Sequence, residues 1–141
     1  MTDTKSLFQR ILNRERNKKQ RKKPDDREHR LQTACVQWFR YQYPQLAPLL
    51  FAVPNGGQRN PKTAARLKEE GVTPGVADLI LLHPNSQHGA LLIEMKTETG
   101  RQQATQKQWQ QAVERLGYQY TVCHSIDEFT DTIHEYFSHL L

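Results

Sequence analysis

Two short runs decide the fold: Val76-Ala77-Asp78-Leu79-Ile80-Leu81-Leu82 and Ala90-Leu91-Leu92-Ile93-Glu94-Met95, the second followed directly by Lys96. Each is apolar, compact and closed off by turn formers, Pro74-Gly75 before the first and Pro84-Asn85 after it, and each therefore predicts a buried strand. An acid interrupts each run. A carboxylate without partners is costly inside an apolar strand, so Asp78 predicts a neutralising neighbour, for which a hard cation is well suited. In a strand alternate side chains share a face, so Glu94 and Lys96 emerge together while Met95 points the other way.

Downstream, Arg101 to Leu116 carries Trp109, Val113 and Leu116 at helical spacing with Gly117 as its stop, and Tyr118 to Cys123 follows as a strand. Ser125 opens a last helix running to about Phe137, with Ile126, Phe129, Ile133 and Phe137 on one face and an S-x-x-E pattern reaching Glu128. Upstream, Asp25 or Asp26 caps a helix from Arg27 to about Gln42, striped by Leu31, Cys35, Trp38 and Phe39 and ended by Pro44. Leu49 to Val53 reads as a strand stopped by Pro54-Asn55-Gly56-Gly57, and Pro61 starts a short helix that ends at Gly71. The order helix, strand, helix, strand, strand, helix, strand, helix implies an α/β domain, one mixed sheet with helices on its faces.

The 141 residues suit one domain, placed here at 27–141 and preceded by a basic segment, 1–26, in which Lys and Arg dominate from Arg14 to Lys23. That segment reads either as a solvated flexible tail or as a nonspecific clamp on phosphates. Twenty Lys and Arg against fifteen Asp and Glu, a net charge of +5, favour a polyanionic partner. Cys35 and Cys123 lack CxxC spacing and read as reduced and structural. The six histidines form no HNH-like or zinc-ligand grouping. No apolar run approaches the roughly 18 residues of a membrane span and no leader pattern opens the chain, which predicts no membrane association and a soluble, cytoplasmic protein.

If the two central strands pair, Asp78 and Glu94 converge on Mg²⁺ or Mn²⁺, with the Met95 carbonyl and waters completing an oxygen shell, and Lys96 orients a nucleophile or offsets charge on a phosphate. The bland reading is that Asp78 caps the Pro74-Gly75 turn and Glu94 pairs with Lys96. Two more polar residues extend apolar helix stripes. Glu28 precedes Leu31, Cys35 and Phe39 by helical intervals, and reads equally as a metal-facing acid or as a first-turn carboxylate at the helix dipole. Gln32, one turn on, suits the same pocket. Gln106 precedes Trp109 and Val113 in the same way, and reads as a pocket residue or as an amide satisfied by backbone. In the turn from Asn55 to Asn60, small residues such as Asn55 and Gly57 let a phosphate approach and Arg59 grips it, or the stretch is only a tight turn; Arg66, Lys68 and Arg101 extend a basic path.

Taken in order, Glu28-x-x-x-Gln32, Val53-Pro54-Asn55-Gly56-Gly57-x-Arg59, Gly71-Val72-x-x-Gly75-Val76-Ala77-Asp78-Leu79, Glu94-Met95-Lys96 and Gln106-Lys107-x-Trp109 with Gly117-Tyr118 resemble the VRR-NUC nucleases, a branch of the PD-(D/E)xK superfamily. The resemblance covers about residues 27 to 125. It departs at Ala77, where the family usually has Pro, a change that keeps the extended backbone open to the chain. The resemblance implies a restriction-endonuclease-like mixed sheet flanked by helices. It also implies a metal-dependent DNA endonuclease in which Asp78 and Glu94 hold the metal, Lys96 is the catalytic lysine, and Glu28 and Gln106 are the helical acid and glutamine. Short members of the family are similar to phage-encoded proteins and to Holliday junction resolvases, which implies a homodimer acting on branched DNA, in the bacterial host cell if phage-encoded. The competing class is a catalytically silent DNA-binding scaffold, whose mark would be loss of an acid or of the lysine; all three are present.

Overall fold

The computed structural model describes residues 9–10, 26–54 and 60–140. In chain order the elements are α1 (Arg27–Gln42), a 3₁₀ turn (Ala47–Leu49), β1 (Leu50–Ala52), α2 (Pro61–Glu69), β2 (Leu79–Leu81), β3 (Leu91–Met95), α3 (Ala104–Arg115), β4 (Gln119–Cys123) and α4 (Ile126–Ser138). The strands form one sheet in the order β1-β2-β3-β4. β1 and β2 pair antiparallel, as do β2 and β3, whereas β3 and β4 run parallel, with Leu92 opposite Tyr120 and Glu94 opposite Val122. The parallel pair is joined through α3, as a crossover between parallel strands requires.

The alternation of β3 sorts its side chains onto two faces. Leu91, Ile93 and Met95, with Leu79 and Leu81 of β2, join Cys35 and Phe39 of α1 and Phe129, Ile133 and Tyr136 of α4 in the larger core. Each fully buried residue of that size contributes about 1.5–3 kcal/mol. Leu92 goes the other way, where Ala77 and Tyr120 are buried with it under Trp109 and Val113 of α3. Both cysteines are free and buried, and burial pushes the Cys35 thiol up to about 12 and the Cys123 thiol up to about 11. They are inert core residues.

Several expectations change in detail. Asp26 occupies the cap position of α1 but offers it no side-chain hydrogen bond; only its carbonyl engages, accepting from Arg30 N–H at 2.8 Å. Ser125 does cap α4, accepting from Glu128 N–H at 3.1 Å, but the Glu128 carboxylate reaches one residue further back, to His124 N–H at 2.7 Å, so the reciprocal box is displaced. Leu116 lies past the end of α3 and is exposed instead of buried with Trp109 and Val113. The run from Val76 to Leu82 is a strand only from Leu79 to Leu81. Among the described residues no helix is long and apolar enough to cross a membrane. The basic run Arg14 to Lys23 lies outside the described residues.

Candidate active site

The directions of the strands gather chemistry at one rim. β2 begins there, β3 and β4 end there, and β1 ends there too, since Val53 N–H donates to the Asp78 carbonyl at 2.8 Å. Asp78 stands just ahead of β2. Its N–H donates to the Ile93 carbonyl at 3.0 Å, while its side-chain Oδ2 accepts from Met95 N–H at 2.7 Å. The carboxylate thus takes a ladder bond that a backbone carbonyl would otherwise accept, which ends the regular strand and fixes Asp78 against β3. It does not cap the Pro74-Gly75 turn.

Glu94 is 1% exposed and Lys96 8% exposed, on the same face of β3. The Lys96 Nζ stands 4.0 Å from Glu94 Oε1, an electrostatic pair too long for a hydrogen bond. Both oxygens of Glu94 are buried without a hydrogen-bond partner among the described residues. Burial raises the Glu94 pKa above the ordinary carboxylate range; Lys96 opposes that shift, Asp78 adds to it, and Tyr120 and Gln102 oppose it. Burial raises Asp78 as well, against the Met95 N–H and Lys96. Two desolvated acids near each other with one ammonium between them leave an excess of negative charge, which suits a divalent cation.

The remaining expected residues fall into place unevenly. Met95 is buried between Glu94 and Lys96 in sequence, its side chain in the large core and its N–H on Asp78. Glu28 and Gln32 are half-buried on α1, Glu28 in its first turn. Among the described residues no three His, Cys, Asp or Glu side chains cluster as a metal site, so the structure brings Asp78 and Glu94 together without adding Glu28 to them. The Gln106 side-chain oxygen accepts from Gln103 N–H at 2.8 Å, closing the first turn of α3, which is the backbone-satisfied alternative. Arg66 and Lys68 are exposed in the last turn of α2, and Arg101 is exposed ahead of α3. Asn55, Gly57 and Arg59 lie outside the described residues.

Gly75 places α3 against this rim. Its φ of +85° belongs to the left-handed region, and a Cβ there would stand 2.6 Å from the Thr105 carbonyl oxygen, so only glycine permits the contact. Ala77 is fully buried beneath Tyr120 and Leu92, where a small residue fits. Sequence reasoning passed over Tyr120 and Gln102. The signal that finds them is the β3–β4 register, which puts Tyr120 on the Glu94 face two residues before its partner Val122.

A four-stranded mixed sheet between helices, with two acids and a lysine at one rim, is the layout of a nuclease-type α/β domain. The VRR-NUC domain model matches residues 26–127, and the chain belongs to that family. Its fold is also similar to that of a solved structure described as a VRR_NUC domain protein, with a TM-score of 0.71 and 25% identity over 80% of this chain and 89% of that one. No curated protein matches the chain.

Proposed function

We propose that the protein is a Mg²⁺- or Mn²⁺-dependent deoxyribonuclease that hydrolyses phosphodiester bonds at the rim formed by Asp78, Glu94 and Lys96. The observation that carries this reading is the Glu94 carboxylate, buried with neither oxygen hydrogen-bonded among the described residues and set beside Asp78 and Lys96. A buried charge left in that condition is expensive unless a ligand completes it. Asp78 and Glu94, with the Met95 carbonyl, would hold the ion, because the donor set is all oxygen. When bound, such an ion supplies Lewis acidity toward the phosphate and toward an attacking water.

The chain's own groups do the rest. Met95 N–H holds Asp78 Oδ2 at 2.7 Å, so the other carboxylate oxygen would be the one to meet the ion. Lys96, kept nearly dry, offsets charge gathering on the phosphate more effectively than an exposed lysine would. Glu28 and Gln106 would serve the site from α1 and α3, as the helical acid and glutamine of the family. Arg66, Lys68 and Arg101, with Asn55, Gly57 and Arg59 of the sequence after β1, would grip the phosphates of DNA. Such contacts fix position without reading bases, so recognition follows DNA geometry, and branched or Holliday junction-like DNA is the proposed substrate. A homodimer would place two such sites on opposing strands of a junction.

The test compares wild type with Asp78→Ala and Lys96→Ala on linear, flapped and four-way DNA in Mg²⁺, Mn²⁺ or EDTA. Cleavage by wild type alone, and only with metal, is expected. Unchanged cleavage by both variants removes the mechanism, and tight, salt-sensitive binding without turnover in any metal favours the silent scaffold. Sedimentation of the wild type decides between dimer and monomer.

A further inference from the structure

Among the described residues the buried side-chain atoms lacking a hydrogen bond are the two Glu94 oxygens and the Tyr120 hydroxyl. They are complementary. An ionised carboxylate only accepts, and a phenol has one proton to give. The parallel register makes them diagonal neighbours on one face: Glu94 stands opposite Val122, and Tyr120 lies two residues earlier on the same strand. Tyr120 is 9% exposed, its ring held edge-on to Trp109 at 6.1 Å and packed with Ala77 and Leu92. The ring is therefore fixed, and its hydroxyl lies within electrostatic reach of both Glu94 and Asp78.

A tyrosine kept only for packing behaves differently in this same molecule. Tyr136, buried more deeply still, gives its proton to the His83 carbonyl and is satisfied by backbone. Tyr120 has no such carbonyl, and phenylalanine at 120 would fill the space without a buried hydroxyl left unpaired. Gln102 completes the picture. Its Nε2 donates to Gln110 Oε1 at 2.7 Å, anchoring the amide to α3, and the same amide group influences both Tyr120 and Glu94.

We propose that Tyr120, backed by Gln102 and Gln110, is a positioning residue that takes up one oxygen of Glu94 when the other engages the cation. The inference rests on the reading of Asp78 and Glu94 as the cation site. A carboxylate with both oxygens free rotates about its terminal torsion, which is broad, and a partner outside the ligand set removes that freedom. The residue never touches substrate; it acts through Glu94.

Two variants of the full chain test this, Tyr120→Phe and Gln102→Ala. Mn²⁺ affinity is measured by calorimetry without DNA, then kcat and KM at saturating Mn²⁺. Tyr120→Phe is expected to raise the Kd for Mn²⁺ about tenfold, within the range for lost outer partners of metal ligands. It should lower kcat while KM for DNA and the thermal midpoint stay near wild type. Gln102→Ala should shift the same quantities less, and the double variant should be no worse than Tyr120→Phe, because both act through one carboxylate. Wild-type Mn²⁺ affinity and kcat in Tyr120→Phe would overturn the proposal. Should that variant fail to fold, Gln102→Ala decides: weakened affinity sustains the proposal and unchanged affinity overturns it. A wild-type chain that gives no Mn²⁺ heat at all overturns the cation site itself and this inference with it, so the two failures are told apart.

Discussion

The two faces of the sheet are built on opposite rules. Beneath α1 and α4, Leu79, Leu81, Leu91, Ile93 and Met95 meet Cys35, Phe39, Phe129 and Ile133, and every one of them is apolar and fully buried. Beneath α3, the same strand β3 and the residue after it bury Glu94 and Lys96 nearly as deeply, yet among the described residues three polar atoms of Glu94 and Tyr120 find no hydrogen bond. Burial on the first face lowers the free energy of the fold throughout, whereas on the second the apolar contacts of Leu92 and Ala77 are opposed by the desolvation of the Glu94 carboxylate. On the proposed reading the difference is one of purpose: the first face stabilises, and the second would hold charge for a cation to complete.

The sharpest way to break that contrast is substitution of one residue on each face. Asp78→Ala should lower the rate of DNA cleavage about 10³-fold, ~4 kcal/mol in the barrier, without loss of structure by circular dichroism. Phe129→Ala should do the converse, costing about 3–4 kcal/mol of stability in urea titration while the folded fraction keeps its turnover. If Asp78→Ala unfolds the chain, or Phe129→Ala abolishes cleavage at full folding, the two faces are not separable in this way.

Gly75→Ala asks how tightly α3 must dock over the charged face. The left-handed φ and the 2.6 Å approach to the Thr105 carbonyl predict a loss of about 2 kcal/mol in stability. Cleavage should fall with it, since α3 carries Gln106 and Gln110; a stability loss with full activity would show that α3 is only a cover.

The smallest effect concerns pH. Burial raises Asp78 above its ordinary carboxylate range, so between the unfolded and folded pKa values the native protein binds more protons than the unfolded chain. Stability in EDTA therefore falls as pH rises through that window, and the penalty is fully present above the folded pKa. Asp78→Asn, which keeps an acceptor for Met95 N–H, should gain thermal midpoint relative to wild type as pH rises and lose the advantage toward acid. A difference that is constant with pH would remove the charge as its cause.

Much of this was legible because strong periodicity and strong punctuation agree. The Arg27 to Gln42 helix is bounded as expected, since Cys35 and Phe39 one turn apart mark its buried side and Pro44 forbids continuation. The pairing of Glu94 with Lys96 followed from the two-residue period of a strand. What escaped depends on tertiary geometry. The 3₁₀ turn at Ala47–Leu49 is too short to carry a period. The strand after Gly75 shortens because the Asp78 side chain takes the Met95 N–H, which only the paired β3 reveals. Tyr120 reads in isolation as an ordinary aromatic strand residue; the parallel register alone makes it a neighbour of Glu94.

The mixed topology also segregates labour along the strands. The connection from Leu82 to Ala90 and the turn at Gly117 meet at the end remote from Asp78, tied by His88 Nδ1 and the Gly117 carbonyl at 2.9 Å and by Gln119 N–H on the Ala90 carbonyl at 3.2 Å. That end bears no acid of the rim chemistry. The connection there is itself anchored, since the buried Asn85 donates through Nδ2 to the Tyr136 carbonyl at 3.1 Å and accepts from the N–H groups of Gln87 and His88. Change at that pole would be felt in the seating of α4, while the acids and the lysine at the opposite pole keep their places.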